Sequence, residues 1–64
     1  MKTYSVSEIR ILIMDYRLEK GLSIIGLSRL TNITKQTIHN IMNESRAYVH
    51  PTVLNKLREH NIIE

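Results

Sequence analysis

Apolar side chains spaced three and four residues apart, each set preceded by a residue suited to starting a helix, limit this chain more than any other feature. Ile9, Leu12, Ile13 and Tyr16 follow that spacing, which puts them on one face of a helix. Ser5 with Glu8 three residues on is a capping box, in which each side chain satisfies the other residue's backbone N–H. Gly21 can take the left-handed conformation that ends a helix. A first helix is therefore expected over roughly residues 6 to 20.

The pattern recurs three times. Ser23 is an N-cap flanked by Leu22 and Leu27, which stand at the two positions of a hydrophobic staple. A short helix should follow at about 24 to 31, until Asn32, which tolerates positive φ, breaks it and Ile33 anchors the turn. Thr34 then caps a third helix of about 35 to 43. Pro51 suits the first turn of a last helix, about 51 to 60, with Val53, Leu54 and Leu57 as its apolar side. The tail "NIIE" is too short for a helix of its own, and residues 44 to 50 form the one real loop. With no strand alternation, internal repeat or low-complexity tract, the expectation is an all-α, compact four-helix domain spanning 1–64.

Such a chain has little stability to spare. Sixty-four residues bury only about 60% of the surface their unfolded form exposes, and without cysteine neither disulfides nor a thiolate zinc site can supplement the core. No apolar run approaches the roughly 20 residues needed to cross a bilayer, and "MKTYSVSEIR" lacks the order of a signal peptide. The chain is expected to be soluble and cytoplasmic, with no membrane partner. Its net charge of +3 is modest, but its placement says more. From Lys20 through Asn43 there is no acidic residue, while Lys20, Arg29 and Lys35 lie in that window, where a polyanion would meet least repulsion.

Two short helices joined by a three- to four-residue turn make a helix-turn-helix, whose second helix enters the DNA major groove. Residues 24–43 fit that shape. Ile38, Ile41 and Met42 should face the core, while Gln36, His39, Asn40 and Asn43 share the opposite side with Lys35 at its margin. A solvated helix face normally carries Glu and Lys. Amides instead match the mixed donors and acceptors of base edges.

On "YRLEKGLS" followed by "LSRLTNITKQTIHNIM", the sequence resembles the Cro/repressor-type helix-turn-helix family, also called XRE, of phage and bacterial regulators. The resemblance covers about residues 9 to 60, with Tyr16, Arg17, Leu27, Ser28, Asn32, Ile33 and Ile38 in the places of the family pattern. It implies a lambda repressor-like fold and sequence-specific DNA binding by a repressor or Cro-like regulator. It also implies that Thr34, Lys35, Gln36, His39 and Asn40 read bases while Asn43 meets a phosphate. Gln36 and Asn40 are the foremost base readers, Lys35 suits either a guanine or a phosphate, and Thr34 is either a reader or a plain cap. Three departures stand out. Met42 replaces a glutamate that pairs with the arginine at position 17 in relatives, which should leave Arg17 freer to face solvent. Ile24 replaces a phosphate-binding glutamine, and Glu44 puts a negative charge in place of a frequent glycine.

Phosphate contacts supply much of the affinity for DNA. The candidates are Arg29, Lys35, Arg46 and Tyr48, with Ser23 and Ser45 donating hydroxyls. Arg46 is the best of them, its alternative being a solvated loop charge. His39, His50 and His60 match no common metal-ligand spacing, and no Gly-rich phosphate loop or nucleophile-base constellation supports catalysis. Neither enzyme activity nor a metal or other cofactor is expected, and His39 reads as a groove-facing donor.

Helix one also carries a second apolar stripe, Ile11, Met14 and Leu18, half a turn from its core stripe. Arg10 and Arg17 line one side of it, Glu8, Asp15 and Glu19 the other. Either a partner covers this stripe or the last helix or tail does. Ile62 and Ile63 pose the same choice between closing the monomer core and pairing with a second copy on a two-fold operator. The reading of a different class is a protein-interaction module that modulates another regulator through the helix-one stripe.

Overall fold

The computed structural model describes residues 3–43 and 49–64. Over them the chain forms α1 (Val6–Lys20), α2 (Ile24–Thr31), α3 (Lys35–Met42) and α4 (Pro51–Glu59), with no strand among the described residues.

Local chemistry sets the ends of each helix. At the start of α1 the Glu8 N–H donates to Ser5 Oγ at 3.1 Å and the Ser5 N–H to Glu8 Oε1 at 3.0 Å, the reciprocal bonds of a capping box. Gly21 at φ 66° ends the helix, and its N–H and that of Leu22 both donate to the Arg17 carbonyl. Ser23 caps α2 by accepting the Gly26 N–H at 3.0 Å, and Asn32 closes it at φ 59°. Thr34 caps α3 by accepting the Thr37 N–H at 3.2 Å. α3 stops at Met42, one residue before the expected end, because Asn43 leaves helical geometry at φ −95°, ψ 12°.

α4 begins on a cap that residue preferences do not suggest: His50 Nδ1 accepts the Thr52 N–H at 3.1 Å, with Pro51 in the first turn. This helix also ends one residue early, at Glu59. Asn61 takes φ 58°, its N–H donating to the Arg58 carbonyl and that of Ile62 to the Leu57 carbonyl, each at 3.0 Å. Those two bonds form a Schellman motif, which reverses the chain and usually sets an apolar residue after the turn against one in the last helical turn. Ile62 and Leu57 fill those two places.

The reversal decides where the tail goes. Ile62 is 6% and Ile63 5% exposed, and both join Ile9, Ile13, Leu27, Ile33, Ile38, Ile41, Val49 and Leu57 in one core. They close the monomer and are not a surface for a second copy. Leu12, Tyr16, Met42, Val53 and Leu54 pack partly buried around this core. Each fully buried aliphatic side chain contributes about 1.5 to 3 kcal/mol relative to exposure, so in a domain this small the two tail isoleucines are a sizeable share of the driving force. The ends also meet through polar atoms, the Glu64 N–H donating to Tyr4 Oη at 3.1 Å and Arg58 Nε to the Glu64 carbonyl at 3.0 Å.

Candidate nucleic-acid interface

α2 and α3 pack against each other across the turn at Asn32 and Ile33. Asn32 supplies the left-handed residue, and Ile33, 3% exposed, drives its side chain into the core. Two hydroxyls satisfy backbone groups this sharp turn would leave bare. Ser28 Oγ donates to the Ile33 carbonyl at 2.6 Å. Thr31, the one buried polar residue among the described residues, donates to the Leu27 carbonyl at 2.8 Å and accepts the Ile33 N–H at 3.4 Å.

Two basic side chains brace this unit from outside. Lys56 Nζ of α4 donates to the Asn32 carbonyl at 2.8 Å, and Arg10 Nε of α1 to the Ile41 carbonyl at 3.0 Å. The second bond satisfies one of the last-turn carbonyls of α3, which have no partner within their own helix. Neither role was read from sequence, because the partner atoms are carbonyls 24 and 31 residues away. A helix C-terminal carbonyl that an upstream arginine can reach is the one faint signal.

On α3, Ile38 and Ile41 are 1% exposed and face the core. Lys35, Gln36, His39 and Asn43 are exposed and Asn40 is half-buried, so the residues expected to share the outer face do share it. They are tied to one another along the helix. Gln36 Nε2 donates to Asn40 Oδ1 at 3.0 Å, Asn43 Nδ2 lies 3.2 Å from His39 Nδ1, and Thr34 Oγ1 donates to Thr37 Oγ1 at 2.8 Å. Thr34 is thus a cap whose hydroxyl is engaged twice, once as acceptor and once as donor. Neither α2 nor α3 has an acidic residue in its first turn, so the partial positive charge of each helix start is not offset there by a carboxylate.

Of the phosphate candidates, Ser23 and Arg29 lie exposed at the start and near the end of α2, Ser23 with its oxygen already used as a cap. Ser45, Arg46 and Tyr48, together with Glu44, lie outside the described residues. Lys20 stands 5.9 Å from the centroid of the Tyr16 ring at the end of α1. Arg17 does not match its expectation. It is half-buried, and its Nε donates to the Leu22 carbonyl at 3.2 Å. The joint between α1 and α2 supplies the acceptor that the absent glutamate does not, so the side chain is held rather than released.

Elsewhere, an open cleft of about 480 Å³ runs between α1 and the tail, lined by Tyr4, Glu8, Ile11, Leu12 and residues 61–64. Among the described residues no group of three or more His, Asp or Glu side chains is placed to hold a metal ion, and no helix is long and apolar enough to cross a membrane. The α1 stripe stays open: Ile11 is 59%, Met14 45% and Leu18 76% exposed, so neither α4 nor the tail covers it. No protein-family model, curated protein or solved structure matches the chain.

Proposed function

We propose that this chain is a sequence-specific, double-stranded-DNA-binding transcriptional regulator of the repressor or Cro type, belonging to a phage or mobile element and working in the cytoplasm of a bacterial cell or phage-infected host. The observation that carries this reading is the outer face of α3, where exposed amide and imidazole side chains are cross-bonded at i,i+4 spacing on a helix whose other face is buried. A solvated face gains from Glu and Lys, whereas amides held in fixed orientation suit the donor and acceptor pattern of base edges in the major groove.

In this mechanism α3 enters the groove, with Gln36, Asn40 and His39 toward base edges and Lys35 toward a guanine or phosphate. Arg29, Ser23, Asn43, Ser45, Arg46 and Tyr48 meet the backbone. The protein then acts by occupancy, blocking or redirecting polymerase or a competing regulator, and needs no catalytic group or cofactor.

Fluorescence anisotropy of the purified protein against duplexes from its own genomic neighbourhood, titrated at several salt concentrations, tests this directly. Tight binding to one duplex, lost steeply with salt, is the expected result. Equal affinity for that duplex and for random DNA would overturn it.

A further inference from the structure

Asn43 ends α3 and stays bound to the turn before it. Its backbone N–H donates to the His39 carbonyl at 2.9 Å, and its side-chain Nδ2 stands 3.2 Å from Nδ1 of the His39 ring. Two attachments to one residue hold the imidazole against the end of the helix. They also determine where its proton sits. An amide nitrogen carries two hydrogens and accepts nothing, so Nδ1 must offer its lone pair to Asn43, and the single proton of a neutral imidazole is then on Nε2. His39 is exposed and turns toward its surroundings a donor with no acceptor beside it.

The consequence rests on the DNA-binding function proposed above: we propose that His39 is a guanine reader and that Asn43 is the positioning residue that makes it one. Guanine is the one base whose major-groove edge offers two acceptors, N7 and O6, and no donor. Cytosine offers only a donor, adenine sets a donor beside its acceptor, and thymine sets a methyl group there. A lone N–H is matched best by the first and rejected by cytosine. Gln36 is polarised differently. One of its amide hydrogens goes to Asn40 Oδ1, and the other, beside its carbonyl oxygen, makes the complement of adenine. Gln36 and His39 are three residues apart, about 4.5 Å along the helix axis, against about 3.4 Å between successive base pairs. They therefore reach adjoining pairs, and the recognised site contains an A·T pair next to a G·C pair. The bond from Asn43 to the ring uses one of its two amide hydrogens, so a phosphate contact by the other is compatible.

The protonation of the ring is measured without DNA. In long-range proton–nitrogen NMR spectra of the full chain at about pH 8.5, where an imidazole is neutral, Nε2 of His39 should be the protonated nitrogen and Nδ1 the bare one. In Asn43→Asp the neighbouring group can only accept, so the proton should move to Nδ1. The reverse assignment in the wild type, or an Asn43→Asp ring that stays as it was, overturns the role given to Asn43.

On DNA, each guanine of the preferred duplex is replaced in turn by adenine, which lacks the O6 acceptor, or by 7-deazaguanine, which lacks N7. At one guanine, next to an A·T pair, at least one replacement should weaken wild-type binding about 2- to 13-fold, the worth of one hydrogen bond. His39→Ala, weaker from the start, should bind all three duplexes alike. Asn43→Asp adds a negative charge and should bind every duplex less well, so its ratio between duplexes is read, and that ratio should lose the preference for guanine over adenine. If His39→Ala discriminates among the duplexes as the wild type does at every guanine, the guanine assignment fails while DNA recognition stands. If no duplex is bound better than random DNA, the proposed function itself fails and the guanine assignment with it.

Discussion

Replacing Asn40 by alanine separates a side chain that reads a base from one that holds the reader still. The bond of 3.0 Å from Gln36 Nε2 to Asn40 Oδ1 uses one of the two amide hydrogens of Gln36. The other hydrogen and the carbonyl oxygen of Gln36 lie outside that bond, and a donor beside an acceptor is the complement of N7 and N6 of adenine. If Gln36 reads an adenine, Gln36→Ala should cost about 1 to 3 kcal/mol on the preferred duplex, a loss of about 5- to 150-fold. Asn40→Ala leaves the reader in place but lets its amide rotate. Ordering a flexible side chain on binding costs about 0.5 to 1.5 kcal/mol, so the expected loss is about 2- to 13-fold. If Asn40 acts on DNA only by orienting Gln36, the double variant should bind no worse than Gln36→Ala alone, because the amide that Asn40 Oδ1 holds is already gone. An exposed i,i+4 pair contributes only about 0.2 to 0.5 kcal/mol to its helix, which limits the fall in melting temperature to about 2 to 4 °C. Anisotropy titrations of the four proteins on the preferred and a random duplex measure all of this. Additive losses in the double variant would show that Asn40 contacts DNA by itself, and equal losses on both duplexes would falsify the account of Gln36.

Other perturbations probe the scaffold and the charge. Asn32→Val forces a β-branched residue to φ 59° and should cost at least about 1 to 2 kcal/mol, whereas Asn32→Gly should be nearly neutral; denaturant titrations that rank the two in the opposite order would refute the left-handed turn. Leu57 is fully buried, and Leu57→Ala should cost about 2 to 5 kcal/mol, enough to move thermal melting measured by circular dichroism far down; an unchanged melt would contradict the core described above. Lys35→Ala should reduce the slope of log affinity against log salt by about one if Lys35 meets a phosphate, and an unchanged slope with a changed base preference would make it a guanine reader.

How much of this was legible in the sequence follows from the range of the interactions. α1 and α2 have the expected bounds because Ser5, Glu8, Gly21, Ser23 and Asn32 act on backbone atoms within a few residues. The outer face of α3 was equally legible, since one helix period sorts Ile38 and Ile41 from Gln36, His39 and Asn40. The bonds that hold that face in position were not. Arg10 and Lys56 reach carbonyls on other helices, and no local pattern marks which carbonyl will stand within reach. Arg17 was misread for a related reason: the loss of one familiar partner says nothing about the Leu22 carbonyl that replaces it. Ile62 and Ile63 needed the reversal at Asn61, which becomes visible only once α4 has an end.

That reversal has a consequence for how the protein is made. Two of its core side chains are among the last residues of the 64-residue chain, and the Glu64 backbone donates to a tyrosine near the beginning. A ribosome that has produced α1, α2 and α3 therefore holds a core that cannot yet close, and bringing residues 60 positions apart together adds the entropy cost of closing a long loop. Folding of this domain must wait until Ile63 has cleared the exit tunnel, so its core closes only after all four of the described helices have emerged.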